Sequence, residues 1–471
     1  MSRNSTIRSA LIGGTALSAL LLAPRAEAIP AFAAQTGQPC VACHIGGFGP
    51  QLTPFGRAFK IGGYTATGGD DGADTVVDKL AYGPISGMVL TSFNNTASNY
   101  PDGTQPQHYD RNNNFSLDQV SVFVGGRLTD WAGGFAQFTW SDVDNTAIVD
   151  QVDLRPYTHD FTIEDNDVRV GLTVNNAPTV QDPYNSSFVW GYPYVVSALA
   201  PSPTAQPLLA GGFVGNSIGV TAYAWINRSI YLEAGGYQTQ SPWLLSRFGE
   251  AYGPGATQGI APYLRGAYEW NWGPNDAHVG FMFMQSAVNP TVSAQVATNA
   301  NGHDSYTDFA VDMGYQFVGE RDTFTILAVD TMEQQNLAGT VGAFNAANGT
   351  SFGNVYNLNQ IRLSGSYWYR NTYGFNLGWQ RTWGTSNPVV YSAGQVSGSN
   401  NSSPDSNAFI LEADWVPFGK GDSWAQPFAN LKLGVQYTIY TQFNGGGSNY
   451  DGYGRTAGGN NTLFAFAWFM F

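Results

Sequence analysis

Segments of about ten residues that alternate apolar and polar, connections that alternate short and long, and a final strand closing on phenylalanine predict an all-β fold. The architecture they point to is a 16-stranded up-and-down outer-membrane β-barrel behind a small N-terminal plug segment. In "LKLGVQYTIY", Leu431, Leu433, Val435, Tyr437 and Ile439 share one face, and Lys432, Gly434, Gln436, Thr438 and Tyr440 the other. "IRLSGSYWYR" repeats the pattern, with Ile361, Leu363, Tyr367 and Tyr369 opposite Arg362, Ser364, Ser366 and Arg370. Successive strand side chains point to opposite sides, so period two means one apolar and one polar face. A β-sandwich alternates in the same way, and the connections separate the two. "INRS", "WGPND", "VGER" and "RNT" are short; "SAVNPTVSAQVATNANGHDS", "LAGTVGAFNAANGTSFGNVYN" and "GTSNPVVYSAGQVSGSNNSSPDS" lie between them. Short turns at one end and long loops at the other belong to a membrane barrel.

Fifteen segments read as strands between Gly83 and Phe471. An odd number would put the long stretch 174–215 at the short-turn end, so one more strand is expected at 180–194, "QDPYNSSFVWGYPYV". A barrel of that size leaves a water-filled lumen rather than a packed core. The remainder, "SALAPSPTAQPLLAGG", is expected to be an extracellular or inward-folded loop. At the end, "NTLFAFAWFMF" spaces Leu463, Ala465, Ala467 and Phe469 by twos before Phe471, which looks like the insertion signal of bacterial outer-membrane barrels.

Composition agrees with a surface that faces something other than water. Of 471 residues only 11% are charged, while 14% are aromatic and 57 are glycine. Mean hydropathy is nevertheless −0.18, so polarity comes from uncharged side chains. A net charge of −14 with no basic stripe excludes nucleic acid as a partner. The opening "MSRNSTIRSALIGGTALSALLLAPRAEA" has Arg3 and Arg8 before an apolar run and then Ala26-Glu27-Ala28, the pattern of a cleaved secretory signal peptide over 1–28. No later run approaches the ~18 apolar residues of a membrane helix. The expected organisation is a signal peptide (1–28), a plug segment and linker (29–80) ending in "TATGGDDGADT", and a barrel (81–471) set in outer-membrane lipid.

The plug segment holds both cysteines of the chain, in "QPCVACHIGGFGP". Three chemistries compete for Cys40, Cys43 and His44. A redox Cys-x-x-Cys belongs at a helix start in a βαβ unit, and no such unit is present. A structural zinc site needs four ligands, and the next histidine, His108, is far along the chain. Cys-x-x-Cys-His is the pattern of c-type haem attachment, with a thioether from each thiol and the adjacent imidazole on iron. Attachment after export agrees with the signal peptide. Between Ile45 and Gly87 there is neither His nor Met, so a usual strong sixth ligand would have to come from the barrel. Met88 on the first strand is one candidate. In "DAHVGFMFMQ", Phe281 and Phe283 are expected toward lipid, which turns His278, Met282 and Met284 toward the lumen and adds the two methionines. Methionine ligation would raise the reduction potential.

The combination resembles the outer-membrane monohaem cytochrome–porin fusions of iron-oxidising bacteria. The resemblance is carried by "IPAFAAQTGQPCVACH", by "LTPFGRAFKIGGY", and by the C-terminal "LKLGVQYTIYTQFNGGGSNYDGYGRTAGGNNTLFAFAWFMF". It implies one covalent haem c on Cys40, Cys43 and His44. It also implies oxidation of extracellular Fe(II), with electrons passed to a periplasmic cytochrome c or copper protein. Arg57 and Lys60, near the motif in sequence, are expected to contact the propionates by charge-assisted hydrogen bonds. No catalytic side chain is expected beyond the haem itself. Two other readings are a solute porin with a redox-sensitive haem gate and an adhesin-like barrel with a structural metal.

Overall fold

The computed structural model describes residues 31–68, 84–186, 189–247, 249, 255–290, 302–426 and 428–471. The expected signal peptide and most of the linker lie outside them. Sixteen long strands form one antiparallel sheet: β1 (Ile85–Thr96), β2 (Asn114–Thr129), β3 (Ala132–Ser141), β4 (Thr146–Ile163), β5 (Asn166–Asn175), β6 (Ser217–Ile226), β7 (Ile230–Thr239) and β8 (Ala261–Trp272). They continue as β9 (Asn275–Asn289), β10 (Asp304–Val318), β11 (Asp322–Asn336), β12 (Val355–Tyr369), β13 (Tyr373–Gly384), β14 (Ser406–Trp415), β15 (Asn430–Gln442) and β16 (Thr462–Met470). Each pairs with its neighbours in chain order, and a two-residue strand, Ala256–Thr257, extends the wall beside β9. The cylinder closes where β1 meets β16, with Met88 opposite Met470 and Thr96 opposite Thr462.

The alternation has the consequence period two dictates. On β6 to β11, Val220, Leu232, Leu264, Phe281, Phe309 and Ile326 point outward and are exposed. Aromatic side chains crowd the short-turn end, where Trp272, Tyr369, Tyr373 and Trp415 are also exposed. An apolar band edged by aromatic rings on a closed barrel is the exterior of a membrane-spanning protein. Inward-facing partners such as Thr221, Glu233, Arg265 and Asp312 are buried and polar.

Among the described residues the strand expected at 180–194 is absent. Those of its residues that are described run through turns and bends, without ladder pairing. The sixteenth strand lies upstream instead: five strands precede residue 176, and β3 and β4 are joined at the long-loop end by only 142–145. That one tight turn breaks the rhythm from which the count was made. The loop 337–354 carries a helix, Ala338–Asn348, which alternation could not indicate.

The lumen is packed rather than water-filled. The connection after β5 folds inward, burying Val180, Tyr184, Leu199, Leu209 and Phe213. The N-terminal segment fills much of the remaining space as three short helices, α1 (Ala31–Thr36), α2 (Cys40–Cys43) and α3 (Pro54–Ile61). In α3, Thr53 caps the N-terminus by accepting from Gly56 N at 3.2 Å, and Pro54 takes the first position, where its missing N–H costs nothing. Such a segment is too short to form its own core. It uses the barrel's inner wall: Ile45 and Phe48 pack with Met88, Trp368, Phe464 and Trp468.

Candidate functional site

Two glycines let the motif fold against its surroundings. Gly46 has φ +69°, and a Cβ there would overlap the Trp368 ring; a Cβ on Gly56 would overlap the Cys43 carbonyl. Gly46→Ala is therefore expected to destabilise plug docking by roughly 1–2 kcal/mol from the left-handed backbone alone. Faster proteolysis of 31–68 is the readout, and an unchanged cleavage rate would remove this packing argument.

α2 sits at the short-turn end of the lumen. Cys40 N donates to Gln426 Oε1 at 3.1 Å, and Asn430 Nδ2 donates to Gly47 O at 2.7 Å. Cys40 and Cys43 are free thiols, and with His44 they line a cavity of about 660 Å³. That lies within the ~300–1,000 Å³ range of cofactor pockets. Aromatic rings make much of its wall, including Phe32, Phe59, Phe135, Trp190 and Trp468.

The donor set fits a covalent haem better than the other two chemistries. Burial pushes the Cys43 thiol up to about 12, helped by Cys40 beside it, and burial pushes Cys40 up as well. Zinc ligation needs thiolates, and among the described residues no three His, Cys, Asp or Glu side chains converge on a metal position. Burial pushes the His44 imidazole down to about 4, so it is neutral, the form that binds iron. Its Nδ1 is buried with no hydrogen-bond partner in the protein.

The remaining predicted residues divide. Met88 lines the cavity, and so does Met470, its register partner across the closing seam. Met470 escaped the sequence reading, although Phe464, Phe466 and Trp468 mark its parity as inward. Met282 and Met284 do point inward as expected, but they pack with Leu209, Phe213 and Tyr237 and are not among the cavity's lining residues. The long inward loop, invisible to alternation, separates them from the site.

Lys60 also lines the cavity, with its Nζ donating to Val180 O at 2.7 Å, Asp182 O at 2.8 Å and Asn185 Oδ1 at 3.2 Å. Arg57 must be reassigned. It turns to the barrel wall, donating to Glu269 Oε1 at 3.0 Å and pairing with Asp276. Nη1 donates to Leu52 O at 3.2 Å. A guanidinium so committed holds the plug in place rather than a propionate. Arg362 of β12, which donates to Gln360 Oε1 at 3.0 Å, is the other cation lining the cavity. Tyr64 OH donates to Asp153 Oδ2 at 2.6 Å, and Tyr223 OH donates to Ile61 O at 2.5 Å. The segment is thus tied to β4, β6, β8, β9 and β15.

No protein-family model and no curated protein matches the chain. Among solved structures it is similar to the outer membrane channel DcaP of Acinetobacter baumannii, at 12% identity and TM-score 0.43, over 82% of this chain and 96% of that one. It is similar to OprB of Pseudomonas putida at 12% identity and TM-score 0.46, over 82% and 92% of the two chains. A third is an anion-selective porin from Comamonas acidovorans, at 12% identity and TM-score 0.41, over 82% and 98%. By its own ladders and apolar exterior, the chain is a closed 16-stranded outer-membrane β-barrel.

Proposed function

We propose that the chain is an outer-membrane c-type cytochrome that takes single electrons from extracellular Fe(II) and passes them to a periplasmic cytochrome or copper protein. The observation that carries this reading is Cys-x-x-Cys-His with free thiols and a neutral imidazole, lining an aromatic cavity inside a membrane barrel. Cys40 and Cys43 would hold the haem by thioethers, and His44 would ligate its iron. Bound there, the group supplies a reversible one-electron couple. Met88 and Met470 are the thioethers near enough to the cavity to serve as a sixth ligand. Arg362 would supply positive charge for its carboxylates, and the surrounding rings would keep bulk water away. Lys60, whose three N–H groups go to Val180, Asp182 and Asn185, ties the plug to the inward loop. Each Fe(II) gives up one electron and leaves as Fe(III) outside, so the insoluble product never enters the cell.

Stopped-flow mixing of Fe(II) with the purified ferric protein tests this reading. Reduction of the haem bands is expected, and no reduction at acidic or near-neutral pH would defeat the oxidase assignment.

The second reading, a solute porin with a redox-sensitive haem gate, draws on the porin-type barrel. The ties from Arg57, Lys60, Tyr64 and Asn430 favour a seated plug instead. In planar bilayers a conduit should conduct ions far less than an open barrel of this size in both redox states. Conductance that rises on reduction would favour the gate.

A further inference from the structure

The cavity that begins at the cysteine motif does not end in the plug. Its lining continues along the inner wall of β2, β3 and β4 to the long-loop end. On β2 it runs from Gly125 to Asp118, about 24 Å of strand at ~3.4 Å per residue. Three carboxylates line this arm: Asp144 in the turn between β3 and β4, Asp150 on β4 and Asp118 on β2. Their burial increases inward. Asp144 is exposed, Asp150 half-buried and Asp118 only 6% exposed. The wall between them is hydroxyl and amide: Thr139 Oγ1 donates to Asp150 Oδ2 at 2.9 Å, and Gln151 Nε2 donates to Asp150 Oδ1 at 3.2 Å. The cationic lining residues, Lys60 and Arg362, sit elsewhere, on α3 and β12.

A second observation separates this arm from a merely acidic surface. Asp118 Oδ1 accepts from Ser116 Oγ at 2.9 Å, but Oδ2 is buried and has no partner. A buried carboxylate oxygen on a cavity wall with no protein partner is costly unless a donor or a cation meets it, and Ser92 and Ser116 are the hydroxyls beside this carboxyl. We infer that the loop-side arm is an access path along which a hydrated divalent cation meets one carboxylate after another, Asp144 at the mouth and then Asp150 and Asp118, since the three do not converge on a single metal position. Oxygen-only donors of this kind suit hard, hydrated ions such as Mn(II) and Fe(II). The identification of the physiological ion as Fe(II) rests on the electron-transfer reading; the cation site does not.

Mn(II), which haem does not readily oxidise, tests the site apart from that reading. The detergent-solubilised, haem-loaded full chain is expected to deplete the electron paramagnetic resonance signal of free Mn(II). Asp118→Asn with Asp150→Asn should weaken this binding about tenfold or more, because ligand charge sets affinity at such sites. Asp102→Asn, at an exposed loop carboxylate paired with Arg111, should leave it unchanged. Carbodiimide labelling of the unmodified chain gives the same test without substitution. Mn(II) should protect Asp118 and Asp150 from labelling, and equal labelling with and without Mn(II) overturns the inference. Mn(II) binding that survives both substitutions overturns it too. With Fe(II), the double variant should reduce the haem bands more slowly, while reduction by dithionite, an anion, should not change. If Mn(II) binds as expected but Fe(II) fails to reduce the haem in the unmodified chain, the cation site stands and the Fe(II)-oxidase reading falls.

Discussion

Replacing Cys40 and Cys43 together by alanine is expected to abolish covalently retained haem while leaving the barrel folded. The denatured unmodified chain should keep one haem through electrophoresis and give peroxidase staining; the double variant should give none. In the proposed reading each thiol would make one thioether, so either single variant should keep a weaker stain. The barrel persists because neither thiol contributes to the ladders, and the 16 strands close without them. Heat-dependent electrophoretic migration checks the fold independently. An unmodified chain, matured with haem-attachment machinery, that carried no haem would end both haem readings and revive the structural-metal barrel.

The second large effect concerns how the segment is held. Arg57 is 1% exposed and balances both Glu269 and Asp276, which are buried at 3% and 1%. Arg57→Leu leaves two carboxylates in the lumen without their cation. Removing one partner of a buried ion pair costs about 3–5 kcal/mol. At ~1.4 kcal/mol per tenfold, the undocked population should rise by roughly two to four orders of magnitude. Limited proteolysis of 31–68 and bilayer conductance should both report it, since an undocked plug leaves the lumen partly open. Adding Glu269→Gln and Asp276→Asn should recover much of the docking, because the uncompensated charge is then gone. Conductance and proteolysis unchanged in Arg57→Leu would mean that Lys60, Tyr64 and the apolar contacts of Ile45 and Phe48 suffice. The plug would then be held by packing rather than by charge.

Much of the molecule was legible in one dimension because a membrane barrel is a nearly one-dimensional object. Its strands alternate with period two, its faces meet lipid or lumen, and its connections alternate by end. Val435 and Tyr437 outward, Lys432 and Gln436 inward, and Met282 and Met284 turned from lipid all follow from parity. Parity also marks Met470 as inward, although the sequence reading passed over it. The haem motif was legible because its chemistry needs adjacent residues.

What parity could not supply was distance across the lumen. Facing inward says nothing about which inward residues meet, because that depends on what fills the space between them. Arg57 and Lys60 are three residues apart on α3, yet one reaches Glu269 and Asp276 on the wall and the other the cavity. Met88 and Met282 both face inward, but Met88 lines the cavity that His44 also lines, whereas Met282 packs with Leu209 and Phe213 of the folded loop 176–216. The alternation of connections put a strand at 180–194 within it, whereas β3 and β4 supply that crossing and the loop turns inward, its backbone meeting the plug where Lys60 Nζ donates to Val180 O and Asp182 O.

The sequence by itself determined the barrel, its two faces and the Cys-x-x-Cys-His triplet proposed to hold haem, since each rests on local spacing. Only the tertiary structure decided the strand that completes the count, the packed lumen, the role of Arg57 and the carboxylate-lined arm reaching Asp118. The role of Arg57 rests on partners far along the chain, Glu269 and Asp276, while the count and the carboxylate arm rest on how β2, β3 and β4 turn within the closed wall.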